Sequence, residues 1–141
     1  MVARSHDTGA GMSPTEAAKS FYHMFGTGKI AELLQQLVDA DSVLDNPLPA
    51  PIPFGGQYKG PQGFAAYAQG IFASLKIERF EIDDIFAAGD RVVVLGRETS
   101  RALSTGKSYT MSWVHVLTVR NGRILHLREY NDTAAMAAAF A

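Results

Sequence analysis

The hydrophobic period of this chain changes once, near residue 75, and that change dictates most of what it can fold into. Before it, apolar residues recur at helical spacing. After it they alternate with polar residues across four runs, 77–86, 91–101, 108–120 and 123–130. The runs are separated by Ala88-Gly89-Asp90, Ser104-Thr105-Gly106-Lys107 and Arg120-Asn121-Gly122, the last a strong hairpin signal. Upstream, Ser13-Pro14-Thr15-Glu16 reads as a capping box with proline at the first helical position. Ala17, Ala18, Phe21, Tyr22, Met24 and Phe25 give that helix a broad apolar face, and Gly26 and Gly28 end it. A second helix carries Ile30, Leu33, Leu34, Leu37 and Val38 on one side, and residues 39–45 lead into a short strand. Residues 46–60, rich in proline and glycine, are expected to be loop. A third helix is expected from about residue 61 to 74, and a short C-terminal helix over 134–140, capped by Asp132 or Thr133.

Helices first and a meander after them define an α+β design: a cone-shaped, curved, antiparallel or mixed sheet with three N-terminal helices packed in its concave face. One domain is expected over 13–141, preceded by a flexible tail over 1–12, with Met12 an alternative start. The 141 residues are 47% apolar and 19% charged, which suits a folded domain rather than a disordered chain. A formal charge of −1 argues against a nucleic-acid surface or a polybasic membrane patch. No apolar run is long enough to span a membrane, and no signal peptide opens the chain, so a cytoplasmic protein is expected. There is no cysteine, which removes thiolate metal sites and cysteine nucleophiles. Glycine-rich phosphate loops and a Gly-x-Ser-x-Gly elbow are missing, and His6, His23, His115 and His126 are scattered. An enzyme built on this chain is expected to work with no cofactor and no metal.

The candidate chemistry lies on the strands. On 109–119, Tyr109, Met111, Trp113, His115 and Leu117 share one face, assigned to the concave side because it holds the bulky groups. His115 then sits either at the pocket rim, satisfied locally, or in contact with a ligand. Of Arg97 and Glu98 one must face inward, and a bulge decides which. Glu129 follows Leu125 and Leu127 at period 2, so it faces inward with Leu127. Desolvation there raises a carboxyl pKa and suits it to acid–base work, unless Arg97 or Arg101 pairs with it. Asp45 ends the early strand, either as a base across the cone's mouth or as a turn residue before Asn46-Pro47.

The helix ending Gly26-Thr27-Gly28-Lys29, the Gly60-Pro61 start of helix three, the Thr105-Gly106-Lys107 turn and the closing Gly122-Arg123-Ile124…Arg128-Glu129-Tyr130-Asn131-Asp132 are typical of one group. Over residues 15–140 the chain resembles the superfamily named after nuclear transport factor 2, in its SnoaL-like and ketosteroid isomerase-like branch. The resemblance implies a cone with a pocket for small hydrophobic molecules, and frequent homodimers. The C-terminal half is similar to limonene-1,2-epoxide hydrolases. By that match Glu98 and Glu129 stand where those enzymes have two aspartates, while the arginine between them falls at Gly96. Against the isomerases, Asp45 or Asn46 lies at the base, and the tyrosine of the first helix falls on or next to Phe21, beside Tyr22.

The expected function is therefore a cofactor-independent acid–base enzyme on a small hydrophobic substrate: an isomerase, a cyclase, or an enzyme of epoxide hydrolase type. Glu129 is the favoured acid or base, Glu98 its partner, Asp45 lies across the mouth, and His115 orients or donates a hydrogen bond. Phe21, Tyr22, Phe64 and Phe72 on the helices are expected to bind substrate. So are Met111, Trp113, Leu127 and Asn131 from the sheet side. The alternative is a non-catalytic binding module or a homodimeric interaction domain of the same fold. Expected partners are a small hydrophobic molecule and a second copy of the chain, with no nucleic acid and no membrane. One discriminating observation is whether the inward acids are neutralised by arginine.

Overall fold

The computed structural model describes residues 11–141, so the expected tail over 1–12 lies almost wholly outside the described residues. Helix α1 (Pro14–Gly26) opens with the reciprocal bonds anticipated from sequence. Ser13 Oγ accepts from Glu16 N at 3.1 Å, and Glu16 Oε1 accepts from Ser13 N at 2.9 Å. Replacing Ser13 with alanine is expected to lower stability by about 1 kcal/mol, read as a shift in urea midpoint with an unchanged slope.

Helix α2 (Ile30–Leu37) buries Leu33 and Leu37 and passes directly into strand β1 (Val38–Asn46). The segment 46–60 is not loop throughout. It ends in a four-residue edge strand, β2 (Gly56–Lys59), which pairs antiparallel with β1 through Asp45↔Gln57 and Leu44↔Tyr58. The prolines over 47–53 have no N–H to give, so pairing starts only once they are passed. Helix α3 (Gly60–Ser74) then buries Phe64, Tyr67 and Ala68.

Strands β3 (Leu75–Ala88), β4 (Arg91–Ala102), β5 (Ser108–Arg120) and β6 (Arg123–Tyr130) form the meander. Asn121 and Gly122, with φ of 53° and 72°, make the tight β5–β6 turn. Strand β1 returns parallel to β6, and the sheet order is β2-β1-β6-β5-β4-β3. The sheet is thus mixed. Between β3 and β4 the register shifts twice, at Ile77/Arg79 and Ile82/Asp84, each time adding a residue on β3. Such bulges bend and twist an edge, which curls the sheet into a trough. They also let Ile77, Phe80, Ile82 and Ile85 all turn inward although their spacing is not even.

Three helices were expected on the concave face. A fourth, α4 (Thr133–Phe140), packs there as well, with Asp132 Oδ1 accepting from Ala135 N at 3.1 Å as its cap. It buries Met136, Ala139 and Phe140, and Phe140 meets Phe54 edge-on. The core lies between these helices and the inner sheet face, where Val92, Val94, Leu117 and Ile124 are wholly buried.

Candidate functional site

The helices do not fill the trough. They leave a cavity of about 710 Å³, well within the range of small-molecule sites. Its walls are mostly apolar: Phe21 and Tyr22 from α1, Phe64 from α3, Met111 from β5 and Leu127 from β6. Phe72 and Phe80 are 51% and 42% exposed at its mouth. Among the described lining residues Glu98 and Glu129 are the acids, and Lys19, exposed on α1, is the one lysine or arginine.

Glu129 sits at the centre of a convergent set of donors. Tyr67 Oη donates to Oε2 at 2.6 Å. Asn46 Nδ2 and Asn131 Nδ2 donate to Oε1 at 3.2 and 3.3 Å. His115 Nε2 stands 3.4 Å from the same oxygen. Burial by itself raises this carboxyl's pKa, as expected from sequence. The neighbouring His115, and then the bonds from Tyr67 and Asn131, outweigh it, so the net shift is downward, opposite to that expectation. Glu129 is a stable anion.

His115 is 7% exposed and carries the polarity onward. A lone pair on Nε2 would face a carboxylate oxygen, so the ring proton belongs on Nε2. Nδ1 then faces Tyr22 Oη at 2.7 Å, from β5 across to α1. Burial first, and the Glu129 charge second, push the Tyr22 phenol well above its usual range, so it keeps its proton near neutral pH. Trp113 stacks on His115 at 4.2 Å between centroids and 27°, and its other neighbour, Phe80, stacks on it at 4.8 Å and 17°.

Glu98 faces the same cavity from β4. Val92, Val94, Ser100 and Ala102 are buried at its parity, so the open choice between Arg97 and Glu98 resolves with Glu98 inward. Its Oε2 accepts from Ser100 Oγ at 2.7 Å and from Tyr109 Oη at 2.9 Å. Its Oε1 has no protein partner among the described residues. Here burial is the largest influence and the net shift is upward. The two acids should therefore have opposite signatures. An acid whose pKa is raised on folding weakens the fold as pH climbs from the ordinary 4.5 through the raised value. Glu98→Gln is expected to be at least as stable as wild type at pH 7 and to lose that advantage near pH 4, measured by urea unfolding at both pH values.

The arginines lie elsewhere. Arg97 Nη2 pairs with Asp83 at 2.9 Å, Arg101 with Glu78 at 3.1 Å, and Arg128 with Asp45 at 2.7 Å, all on the outer side of the sheet. Neither inward acid is held by a guanidinium among the described residues.

Two expected positions need correction. Asp45 does not lie across the mouth. Leu44 and Asn46 are the inward residues of β1, so Asp45 turns to the outer face and its carboxylate is taken by Arg128. Trp113 does not line the cavity but backs it, with its ring edge over Gly96. Phe21, Tyr22, Phe64, Phe72, Met111 and Leu127, with Asn131, do border the cavity. Tyr67 and Ser100 were not anticipated as site residues; Asn46 entered only as the alternative to Asp45 through the isomerase resemblance, and Tyr109 only as a residue of the concave face. Asn46 shares parity with Leu44, and Tyr67 sits on the apolar stripe of α3, which were the available signals.

This combination of a trough-shaped mixed sheet, helices over its inner face and an acid-bearing apolar cavity defines a small-molecule-sized α+β cone. Residues 18–127 match the family model described as SnoaL-like domain, and the chain belongs to that family. No curated protein matches it. Among solved structures, an NTF2-like protein from Burkholderia xenovorans LB400 is 29% identical over 97% of this chain and 100% of its own, with a TM-score of 0.83. TerC, co-crystallized with polyporic acid, is 26% identical over 90% of this chain and 98% of its own, with a TM-score of 0.79. A candidate isomerase from Bacillus subtilis is 21% identical over 92% of this chain and 96% of its own, with a TM-score of 0.75, a likeness of fold alone. The resemblance to epoxide hydrolases expected from the C-terminal half is not carried by these structures. No helix among the described residues is long and apolar enough to cross a membrane.

Proposed function

We propose that this protein is a cofactor-independent acid–base enzyme of isomerase or cyclase type, acting on a small, neutral, hydrophobic molecule with a reactive oxygen. The observation that carries the reading is the aligned set Glu129, His115 and Tyr22, with no arginine among the described residues to neutralise it and a cavity beside it. Glu129 keeps its charge and orients the imidazole. Its role is to position His115 rather than to shuttle the proton itself. Tyr22 rests protonated, its hydroxyl donating to Nδ1 of His115, and turns its oxygen to an acidic C–H beside a ligand carbonyl. As that C–H bond breaks, its proton forms a new O–H bond on Tyr22. The original phenol proton passes to Nδ1, and the Glu129 charge stabilises the imidazolium that forms while the ligand becomes an enolate. Reversal of both transfers, at the same carbon or at a conjugated one, restores the starting state. A positioned relay of this kind, held in place before the ligand arrives, is a substantial source of rate.

Tyr22→Phe removes the hydroxyl without removing the ring. Its expected effect is a fall of about 100-fold in turnover of an enolisable ketone, with ligand affinity changed far less. A variant that turns over like wild type removes Tyr22 from this role. The co-crystallization of TerC with polyporic acid is consistent with a sizeable organic ligand in such a cone. The same reading includes a homodimer, because Phe86 and Tyr130, 48% and 52% exposed, place apolar area on the outer sheet face. Size-exclusion chromatography with light scattering tests it, and a monomer at micromolar concentration rejects it.

A further inference from the structure

Two polar stations face one cavity, and only the first is used by the reading above. The second is Glu98, anchored through Oε2 by Ser100 and Tyr109 and open at Oε1. Strand register places them at different depths of the trough. Glu98 lies opposite Met111 on one side of β5 and Glu129 opposite His115 on the other, so their backbones are offset by four residues, about 13 Å along the strand, while both side chains turn into the one cavity. Apolar wall lies between them, with Met111 and Leu127 both lining it.

We infer that Glu98 is a ligand-binding residue that receives a hydroxyl group on the end of the substrate remote from Tyr22, so that the substrate is a bifunctional, uncharged, hydrophobic molecule. This rests on the reading of Tyr22 and His115 as the reacting end. A carboxyl oxygen left open in an apolar cavity is poorly satisfied until a ligand reaches it. The two bonds to Oε2 hold the group in place, so little freedom is lost when Oε1 is engaged. A hydroxyl suits it in either protonation state, because it donates to a carboxylate and accepts from a carboxylic acid. A carboxylate ligand does not suit it. That ligand would enter a cavity where the described lining residues include two acids and, at the exposed surface of α1, Lys19 as the one lysine or arginine. Glu98 also stands opposite Phe80, whose ring stacks on Trp113 and Tyr22. A flat ring reaching from Tyr22 to Glu98 would therefore pass along aromatic faces.

The test is titration calorimetry with 2-tetralone, 6-hydroxy-2-tetralone and 6-carboxy-2-tetralone, which share a ketone for Tyr22 and differ at the far end. Wild type is expected to bind the hydroxy ketone about 10-fold more tightly than 2-tetralone, and the carboxylate at least about 10-fold more weakly. In Glu98→Ala the hydroxyl preference should fall to within about 2-fold, with 2-tetralone itself little affected. Equal binding of the hydroxy and unsubstituted ketones by wild type overturns the inference. So does a folded Glu98→Ala that keeps the preference. The comparison within wild type stands even if the variant does not fold. Calorimetry reads binding and not turnover, so a preference that Glu98→Ala abolishes survives a failure of the catalytic reading, and Tyr22→Phe kinetics can fail or hold separately.

Discussion

Glu129→Gln is expected to lose about 3 kcal/mol of stability at pH 7 and to lower turnover by roughly 10³-fold. The substitution keeps the shape but places an amide among groups that all donate. Tyr67, Asn46, Asn131 and His115 converge on two oxygens, and the amide offers one. At least one donor is then left facing another donor in a buried site. His115 also loses the anion that fixes its tautomer, so Nδ1 is no longer reliably presented to Tyr22. The pH dependence has a definite sign. A carboxyl whose pKa is lowered on folding stabilises the fold fully above its usual 4.5. The contribution disappears as pH falls through the lower value held in the fold. The gap between wild type and Glu129→Gln should therefore be widest near pH 7 and shrink under acid. Urea midpoints between pH 3 and pH 7 measure it, and a gap that widens on acidification contradicts the assignment.

Gly96→Ala should be nearly as damaging although it adds one methyl group. A Cβ at this position would overlap Trp113 Cζ2 and come within 2.5 Å of Trp113 Cε2 and of the Glu81 carbonyl oxygen. One neighbour is strand backbone, and the other is a ring that is 2% exposed and stacked on both Phe80 and His115. Neither can retreat without unstacking the wall of the site. A loss of about 3 kcal/mol, equivalent to a fall in Tm of roughly 10 °C, is expected. Trp113 is the chain's single tryptophan, so its fluorescence reports both unfolding and its local displacement. A Gly96→Ala protein with wild-type Tm and emission would show that the ring is not pinned there.

These effects mark how far the sequence could be read. The architecture was legible because the period changes sharply and the turns are strongly marked, as at Asn121-Gly122. Strand β5 was legible face by face: Tyr109, Met111, Trp113, His115 and Leu117 are all buried, as its alternation implied. Strand β4 has no register shift against β5, so parity places Glu98 correctly once Val92 and Val94 are taken as core. The bulges of β3 were invisible, because nothing in Ile77 to Ile85 announces a residue that drops out of pairing. Asp45 was misplaced by its acid chemistry, although its apolar neighbour Leu44 argued for the opposite face. The direction of the Glu129 shift was beyond reach. Desolvation follows from a local pattern, whereas the influences that oppose it come first from His115, across the β5–β6 pairing, and then from Tyr67, 62 residues away in the chain.

The most direct test of the account is deuterium uptake from D2O into the α-carbons of 6-hydroxy-2-tetralone, followed by mass spectrometry with wild type and Tyr22→Phe. Wild type is expected to exceed the buffer rate by at least about 100-fold, and Tyr22→Phe to fall back toward it. Uptake by wild type at the buffer rate, or equal uptake by the two proteins, contradicts the claim that Tyr22, backed by His115 and Glu129, moves a proton on a ligand in this cavity.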